Sequence, residues 1–456
     1  MTKIMRLLFS MIFLFMGVHF AVAQETKVLS LKDCIEIALK NNSSLRNAAR
    51  QHLVAKANVM TARSNFLPSV NASFSSGKYI QGARLIKQDV PVDYNPATGK
   101  YIYEQRSTFQ DRTDRNFNQA RISLNQQIFD FGRSINELKQ AKANRDASEQ
   151  DMLSTRQAVV QNVKVAFFEL AKAEKLEEVY NDAVKLAKDQ VDRAKTMMDI
   201  GISSQAEVYQ AKVNWGSNKR NYITQKNNVE FAKANLNNAL GWDPNTSVEI
   251  IQETSAPVFF EYKFDDAVNI AIENNPQIKS LELTVKNYLY SKRAAKAQYY
   301  PSLDASVSYT RSNDERSRVY STKLNEDYSA SLGLQMDLNL FNGMRDKAQI
   351  QRETLNYQMA VENLAEQKRQ IVAQVKQHFL ELEAFKEILD IQRENIDAAK
   401  ENLRLQQEKR RVGAGTELDV TDAQVQLTRA QSDYVQAEHD AQVAKARLEA
   451  AMGIIK

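Results

Sequence analysis

The chain has 456 residues, 43% hydrophobic and 26% charged, with a formal net charge of +5. That balance suits a soluble or amphipathic protein better than a helical membrane protein, and the basic excess is too small to imply a nucleic-acid partner. Cys34 is the only cysteine, which excludes an intrachain disulfide.

Residues 1–23 read as a signal peptide: Lys3 and Arg6, an apolar run from Leu7 to Val18, then Ala21-Val22-Ala23 before Gln24. The run is short for a span of ~20 residues, so the mature protein is expected to be exported. Leu31 to Phe66 reads as helix with a break at Asn41-Asn42-Ser43, and Cys34 falls on its apolar face as a packing residue. Two strands follow, at residues 68–79 and 116–129, separated by a long loop spanning residues 80–115 that is expected to face outside. Arg133 to Ile200 contains no Pro or Gly and makes an unbroken helix of roughly 100 Å. Its apolar positions Leu176, Val179, Ala183, Leu186, Val191 and Ala194 recur at three- and four-residue steps, a narrow seam for packing helix on helix. A short turn leads into a return helix, residues 203–241. Residues 242–263, with Pro244 and Pro257, read as a linker carrying one short strand at Ser247 to Ile251.

The remainder, 264–456, is a second copy of the first. An offset of 233 places Asp33, Asn41, Asn42, Pro68 and Ser69 on Asp266, Asn274, Asn275, Pro301 and Ser302. From Phe129 onward an offset of 212 places Phe129, Arg133, Gly201 and Gly241 on Phe341, Arg345, Gly413 and Gly453. The copy therefore predicts strands at 301–311 and 328–341, a long helix at 345–412 and a return helix at 416–453. The change of offset means that the first copy carries extra residues between its two strands, as a surface loop does.

The strand before the second long helix alternates cleanly. Ala330, Leu332, Leu334, Met336, Leu338 and Leu340 take one face; Ser329, Ser331, Gly333, Gln335, Asp337 and Asn339 take the other. Such alternation with a polar second face suits a membrane barrel strand. Phe66, Phe129, Phe131, Tyr299, Tyr300 and Phe341 mark the helix-side ends of the four strands, as an interfacial girdle would. Four short strands cannot close a barrel in hydrocarbon, so this reading requires oligomerisation: two chains give a filled bore, three a channel.

With these parts in order, the chain resembles the TolC-type outer membrane efflux protein family. The residues carrying the resemblance are Asp33 to Asn42 and Asp266 to Pro276, then Phe66-Leu67-Pro68-Ser69 and Tyr299-Tyr300-Pro301-Ser302. Ile128 to Arg133, Leu340 to Arg345, and Arg411 to Thr416 complete the set. The resemblance implies an α+β membrane protein made of two tandem repeats, a homotrimer whose twelve-stranded β-barrel in outer membrane lipid continues into a twelve-helix α-barrel. It also implies docking to a periplasmic adaptor (a membrane fusion protein) and an inner-membrane pump, in efflux or type I secretion.

The turns between the long antiparallel helices hold Gly201, Ile202 and Ser203 in one copy and Val412, Gly413, Ala414, Gly415 and Thr416 in the other. They are expected to be distal tips, and the resemblance makes them adaptor-docking points; both glycines also suit left-handed helix caps. Asp419 and Asp422 lie three apart on one helical face. The resemblance implies that they line the pore near its closed end, where three chains would ring six carboxylates and attract cations. Capping competes for Asp419, since Thr416-x-x-Asp419 and Ser204-x-x-Glu207 resemble capping boxes. The first copy offers Glu207 and Gln210 at the equivalent places. Where well-known members latch the aperture with a Tyr and an Arg, this chain has Arg410 and Gly415.

No phosphate loop, nucleophile elbow or paired-cysteine metal motif suggests an enzyme, a cofactor or a metal site. His378 and Glu381 fit a solvated helix face better than a metal pair. The alternative to a channel is a periplasmic coiled-coil scaffold or adaptor without a pore; the doubled hairpin and the outward-apolar strands argue against it.

Overall fold

The computed structural model describes residues 27–251 and 262–455. The expected signal peptide, and residues 252–261 of the linker with Pro257, lie outside the described residues. In chain order the elements are β1 (Lys27–Leu29), α1 (Leu31–Asn41), α2 (Ser43–Ser64), β2 (Ser69–Gln81), β3 (Arg84–Asn95), β4 (Lys100–Gln110) and β5 (Thr113–Phe129). Then come α3 (Arg133–Asp199), α4 (Gln205–Leu240), β6 (Val248–Ile250), α5 (Phe264–Asn274), α6 (Pro276–Ala297) and β7 (Ser302–Asn313). The chain ends with α7 (Arg316–Val319), β8 (Tyr328–Asp337), α8 (Arg345–Arg411) and α9 (Glu417–Ala451). The long helices α3 and α8 are each 67 residues, roughly 100 Å at ~1.5 Å per residue.

The chain divides into two compact units. The helical one draws on Met1–Leu53, Ala147–Glu282 and Glu362–Lys456; the other draws on Val54–Asp146 and Leu283–Val361.

In the helical unit the repeat is visible as two cores built from the same positions. The first gathers Cys34 and Ala38 of α1, Val163 and Leu170 of α3, and Leu236 and Leu240 of α4. The second gathers Ala267 and Ala271 of α5, Val375 and Leu382 of α8, Leu448 of α9, and Met452. Cys34 fills in one core the place that Ala267 holds in the other, so its role is packing.

The paired asparagines explain the breaks after α1 and α5. Asn42 accepts from the Ser44 and Leu45 amides at 2.9 and 3.3 Å, capping α2, while its own amide donates to the Ala239 carbonyl at 3.3 Å. Asn275 repeats this, accepting from the Gln277 amide at 2.9 Å and donating to the Ala451 carbonyl at 3.0 Å. One side chain thus starts a helix and ties it to the end of the return helix. Gly241 and Gly453 follow in the left-handed region, at φ 76° and 74°. A Cβ there would stand 2.9 Å from the Asn41 carbonyl oxygen, or 2.8 Å from Asn275 Cα. Only glycine satisfies both the backbone and the contact.

β1 and β6 form a parallel pair with Val28 opposite Glu249. The two hairpins meet along a seam between α3 and α9. Gln157 Nε2 donates to the Gly453 carbonyl at 2.8 Å, Lys164 Nζ lies 2.7 Å from Glu449, and Lys172 Nζ lies 3.3 Å from Asp440. Nearer the turns, Gln424 Nε2 donates to the Ala183 carbonyl at 3.5 Å. His439 of α9 is 6% exposed, and neither ring nitrogen has a hydrogen-bond partner. Burial, then the Lys172 ammonium, pushes its pKa down to about 4, against the opposite pull of Glu169 and Asp440.

In the other unit β2, β5, β7 and β8 form an antiparallel sheet in that order. Its register puts Val70, Leu124, Val307 and Leu332 in one row and Ala72, Ile122, Tyr309 and Ala330 in the next. Between them, on the opposite face, lies the row Asn71, Ser123, Ser308 and Ser331. The alternation seen in single strands is therefore in phase across the whole sheet. Leu332, Leu334 and Met336 are 81%, 72% and 65% exposed. Gln126, the polar exception on the apolar face, turns its amide to its neighbour's carbonyl at 2.8 Å.

Two expectations change. Much of the loop spanning residues 80–115 is the antiparallel hairpin β3–β4, which pairs Arg84 with Gln110 and Asn95 with Lys100. The last strand stops at Asp337 rather than running to residue 341, because its neighbour β7 begins at Ser302, opposite Asp337, and pairing ends there.

Two predictions follow from the helical unit. Gly241→Ala and Gly453→Ala should each destabilise the protein by more than ~1 kcal/mol, read as a lower thermal unfolding temperature in detergent; unchanged temperatures would show that the junctions relax. For His439, the unfolded imidazole takes up a proton below its ordinary value of 6.5, whereas the folded one does so only near about 4. Stability should therefore fall as pH drops through that window, and His439→Leu should flatten the pH dependence of unfolding between those values. An unaltered slope would refute a buried neutral imidazole.

Candidate functional site

The tip turns are built by glycine. Gly201 adopts φ 78°, and the amides of Gly201 and Ile202 donate to the carbonyls of Met198 and Met197 at 2.9 and 2.8 Å. Gly413 adopts φ 77°, and the amides of Gly413 and Ala414 donate to Arg410 and Lys409 at 3.1 and 2.9 Å. This satisfies the last carbonyls of α3 and α8 and leaves side chains outside. Ile202 and Val412 are each 69% exposed. Ser203 is half-buried. A Cβ at Gly415 would stand 3.2 Å from the Arg410 amide nitrogen and the Lys409 Cβ. The second turn therefore has little room for a larger residue there.

The return helices begin at Ser204 and Thr416. Thr416 closes a full capping box: its hydroxyl accepts from the Asp419 amide at 3.2 Å, and the Asp419 carboxylate accepts from the Thr416 amide and hydroxyl at 2.8 and 2.7 Å. Those two hydrogen bonds hold the Asp419 carboxyl below its ordinary range. Asp422, one turn on, is exposed and makes no ion pair among the described residues. The sequence pairs the two acids, but only Asp422 is uncommitted.

Glu207 differs from its counterpart Asp419. Ser204 accepts from the Glu207 amide at 3.3 Å, but the Glu207 carboxylate accepts from Ser203 Oγ at 2.7 Å and Arg410 Nη2 at 3.2 Å. Arg410 Nε also lies 3.5 Å from Glu417. Burial pushes the Glu417 carboxyl up, against the pull of Arg410. One guanidinium thus joins the starts of both return helices, a link absent from the sequence reading. Gln210 is exposed. His378 Nδ1 lies 2.9 Å from Glu381 Oε2 within α8, a local pair on one helix.

Of the aromatic residues expected as a girdle, Phe129, Phe131 and Tyr300 are brought together beside the helix-side end of the sheet. Phe129 and Phe131 lie 4.8 Å apart, and Phe131 stacks on Tyr300 at 5.0 Å. A register shift between Gln127 and Phe129 brings Phe129 opposite Leu303, into the apolar rows. Phe66, Tyr299 and Phe341 are exposed. A second aromatic group, missed in the sequence, lies at the far end. Phe74 meets Tyr320 at 5.1 Å, Tyr309 stacks on Tyr328 at 5.6 Å, and the Arg316 guanidinium lies over Phe74 and Tyr320. Its signal was the aromatic residue ending three of the four alternating runs, Phe74, Tyr309 and Tyr328; Tyr320 lies in the β7–β8 connection and has no periodic signature. Tyr300 and Tyr309 are nine residues apart, roughly 30 Å along a strand at ~3.3 Å per residue. At a tilt of ~40° this spans about 23 Å, close to the ~25 Å lipid-facing band of a membrane barrel.

Comparison with known proteins gives a consistent match. The family model for outer membrane efflux proteins matches residues 34–242 and again 267–454. The outer membrane efflux protein BepC of Brucella suis is 24% identical over 421 residues, 91% of this chain and 83% of that protein. The outer membrane protein TolC of Escherichia coli is 21% identical, over 78% of this chain and 73% of its own. The alkaline protease secretion protein AprF of Pseudomonas aeruginosa is 20% identical, over 98% and 89%. Among solved structures, CusC aligns with a TM-score of 0.80 at 17% identity, covering 94% of this chain and 93% of that one. VceC of Vibrio cholerae aligns at 0.76 and 19%, covering 93% and 96%.

The capping box gives a direct test. Thr416→Val keeps the shape and removes the hydroxyl, so amide hydrogen exchange at the start of α9 should quicken several-fold, with α4 unchanged. Equal exchange in both proteins would mean that the cap does not hold this helix start.

Proposed function

The chain belongs to the outer membrane efflux protein family and is an outer-membrane channel protein of efflux or secretion, and on that premise we propose how it forms its pore. Three copies pool their four-stranded sheets into a twelve-stranded barrel in outer membrane lipid, continued by a twelve-helix α-barrel in the periplasm. The observation that carries this reading is the apolar face in phase across all four strands and largely exposed. A face of that kind calls for hydrocarbon outside it, and hydrocarbon tolerates no open sheet edge. The opposite face, with its serines and asparagines, suits a water-filled bore.

The duct is passive and carries out transport rather than catalysis. Cargo reaches it from an inner-membrane pump through a periplasmic adaptor. The adaptor docks at the exposed tips, Gly201 to Ser203 and Val412 to Thr416. The aromatic groups at the two sheet ends sit at the two lipid interfaces. At the aperture Asp422 contributes the free carboxylate of each chain. Asp419 chiefly starts its helix, and Glu207 is held by Arg410. Arg410 takes the fastening role at the tips, in place of the Tyr and Arg of better-known members.

The test is conduction by the purified protein in a planar bilayer. Asp422→Asn should lower the cation-over-anion permeability ratio several-fold, and Arg410→Ala should raise single-channel conductance. A correctly inserted Asp422→Asn protein with unchanged selectivity would remove Asp422 from the aperture. A wild-type protein that never conducts would remove the pore.

A further inference from the structure

Where the β2–β5 ribbon leaves the four-stranded sheet, its apolar side changes face. Within the sheet the even-numbered positions are apolar: Val70, Ala72 and Phe74 lie opposite Leu124, Ile122 and Ala120. The odd-numbered positions are polar there, with Asn71, Ser73 and Ser75 opposite Ser123, Arg121 and Gln119. β7 ends at Asn313, opposite Asn118, so from Gly77 onward the ribbon has two strands only. There the pattern inverts. The even positions become Ser76 and Lys78, the first donating to Asn118 at 2.7 Å and the second paired with Asp114 at 2.9 Å. The odd positions become Gly77 opposite Phe117 and Tyr79 opposite Arg115. The Phe117 ring lies across Gly77, 2.6 Å from where a Cβ would stand.

The β3–β4 hairpin carries the inversion further. It keeps the register, since Gln81 faces Thr113 and, past two unpaired residues on each strand, Arg84 faces Gln110. Its odd side holds Leu85 opposite Phe109 and Pro91 opposite Tyr103. A bulge between Pro91 and Asp93 then sets Tyr94 opposite Tyr101, with ring centroids 5.1 Å apart. Phe109, Tyr103 and Tyr101 are 63%, 60% and 59% exposed. Lys87 and Asp89, two positions apart on the same side, make no ion pair among the described residues. The even side settles its charges internally: Arg84 Nε donates to Gln110 Oε1 at 3.2 Å, and Arg106 Nε lies 3.1 Å from Glu104. Its Ile86 and Val90 are half-buried. A two-stranded ribbon on its own is marginally stable in water. This one runs eleven residues on β4, roughly 36 Å, with its aromatic side bare.

We propose that the aromatic side is a contact between copies of this chain: three β3–β4 ribbons pack their odd faces together about the barrel axis, beyond the outer lipid interface. The inference rests on the homotrimer reading and adds an extracellular contact to it. In lipid the outward side of a strand is apolar; past the lipid that side meets water, and the inward side is the one left for apolar residues. The odd face is the one turned to the bore, so at an unbroken register the aromatic side turns to the axis, where the other two ribbons stand. Attachment to one barrel keeps the three at high effective concentration. Contacts about a three-fold axis run head-to-tail, so the free Lys87 of one copy meets the free Asp89 of the next. The right-handed twist of a two-stranded ribbon winds the three faces around each other.

The test places one cysteine on each side of the ribbon in a Cys34→Ala background, alanine already occupying the equivalent buried place at Ala267. Ser107→Cys lies on the odd side and Thr108→Cys on the even side, both at exposed positions. The full-length protein in its membrane is treated with a short bis-maleimide linker. Ser107→Cys should give at least ten-fold more covalent dimer than Thr108→Cys, and adding Tyr103→Ser and Phe109→Ser should cut that yield several-fold. A native trimer in which the two cysteines link equally, or not at all, overturns the ribbon contact and leaves the trimer standing. A yield untouched by the two serines overturns the aromatic packing. A protein that sediments as a monomer overturns the contact and the trimer together.

Discussion

The structure depends on one mismatch: within a single chain the helices bury much of their apolar surface, and the sheet does not. A sheet with one apolar face normally has a helix layer or a second sheet over it. Here the row of Val70, Leu124, Val307 and Leu332 runs across all four strands with Leu332 almost fully exposed. The outer edges of β2 and β8 have no strand partner among the described residues. Lipid welcomes the bare face and rejects the bare edges. The outer-membrane location answers the first requirement, the proposed assembly of several copies would answer the second, and the polar face lies opposite the apolar one because the side-chain period of a strand is two.

Much of this was legible in the sequence, for a physical reason. A strand solvated by lipid on one side and water on the other must alternate, and a helix packed along a narrow seam must repeat at three and four. Duplication then wrote each signal twice. The hairpin β3–β4 was not legible because both of its faces are solvated, and residues such as Lys87, Val90, Pro91 and Asp93 show no alternation. β1 is three residues long, too short for any period. The asparagine pairs announced a break, but the carbonyl that Asn42 reaches belongs to Ala239, at the far end of the first copy.

At the tips, equivalent positions of the two copies have different partners. Glu207 and Asp419 are equivalent by position, so both were assigned to the aperture. Yet Asp419 is spent on its own helix cap, while Glu207 is taken by Arg410. The counterpart of Arg410 in the first copy is Met198. The link at the tips therefore comes from a residue that one copy has and the other lacks, and no periodicity shared by the copies announces it. Asp422 stands apart for a simpler reason: it falls one turn past the capping positions, where the backbone amides already have partners.

That asymmetry also bears on how the tips can move. Along the α3–α9 seam the ion pairs formed by Lys164 and Lys172 lie far from the turns, beside buried side chains such as Val443 and Leu448. At the turns the two hairpins are joined by the Arg410 cluster, whose partner Glu207 is partly open to solvent. An ion pair of that exposure contributes at most about 1 kcal/mol, against roughly 1.5–3 kcal/mol for each large apolar side chain buried in the cores. Displacing the tips therefore costs far less than separating the seam. The cores and the asparagine junctions therefore hold their part of the helical unit more firmly than the Arg410 cluster holds the turns.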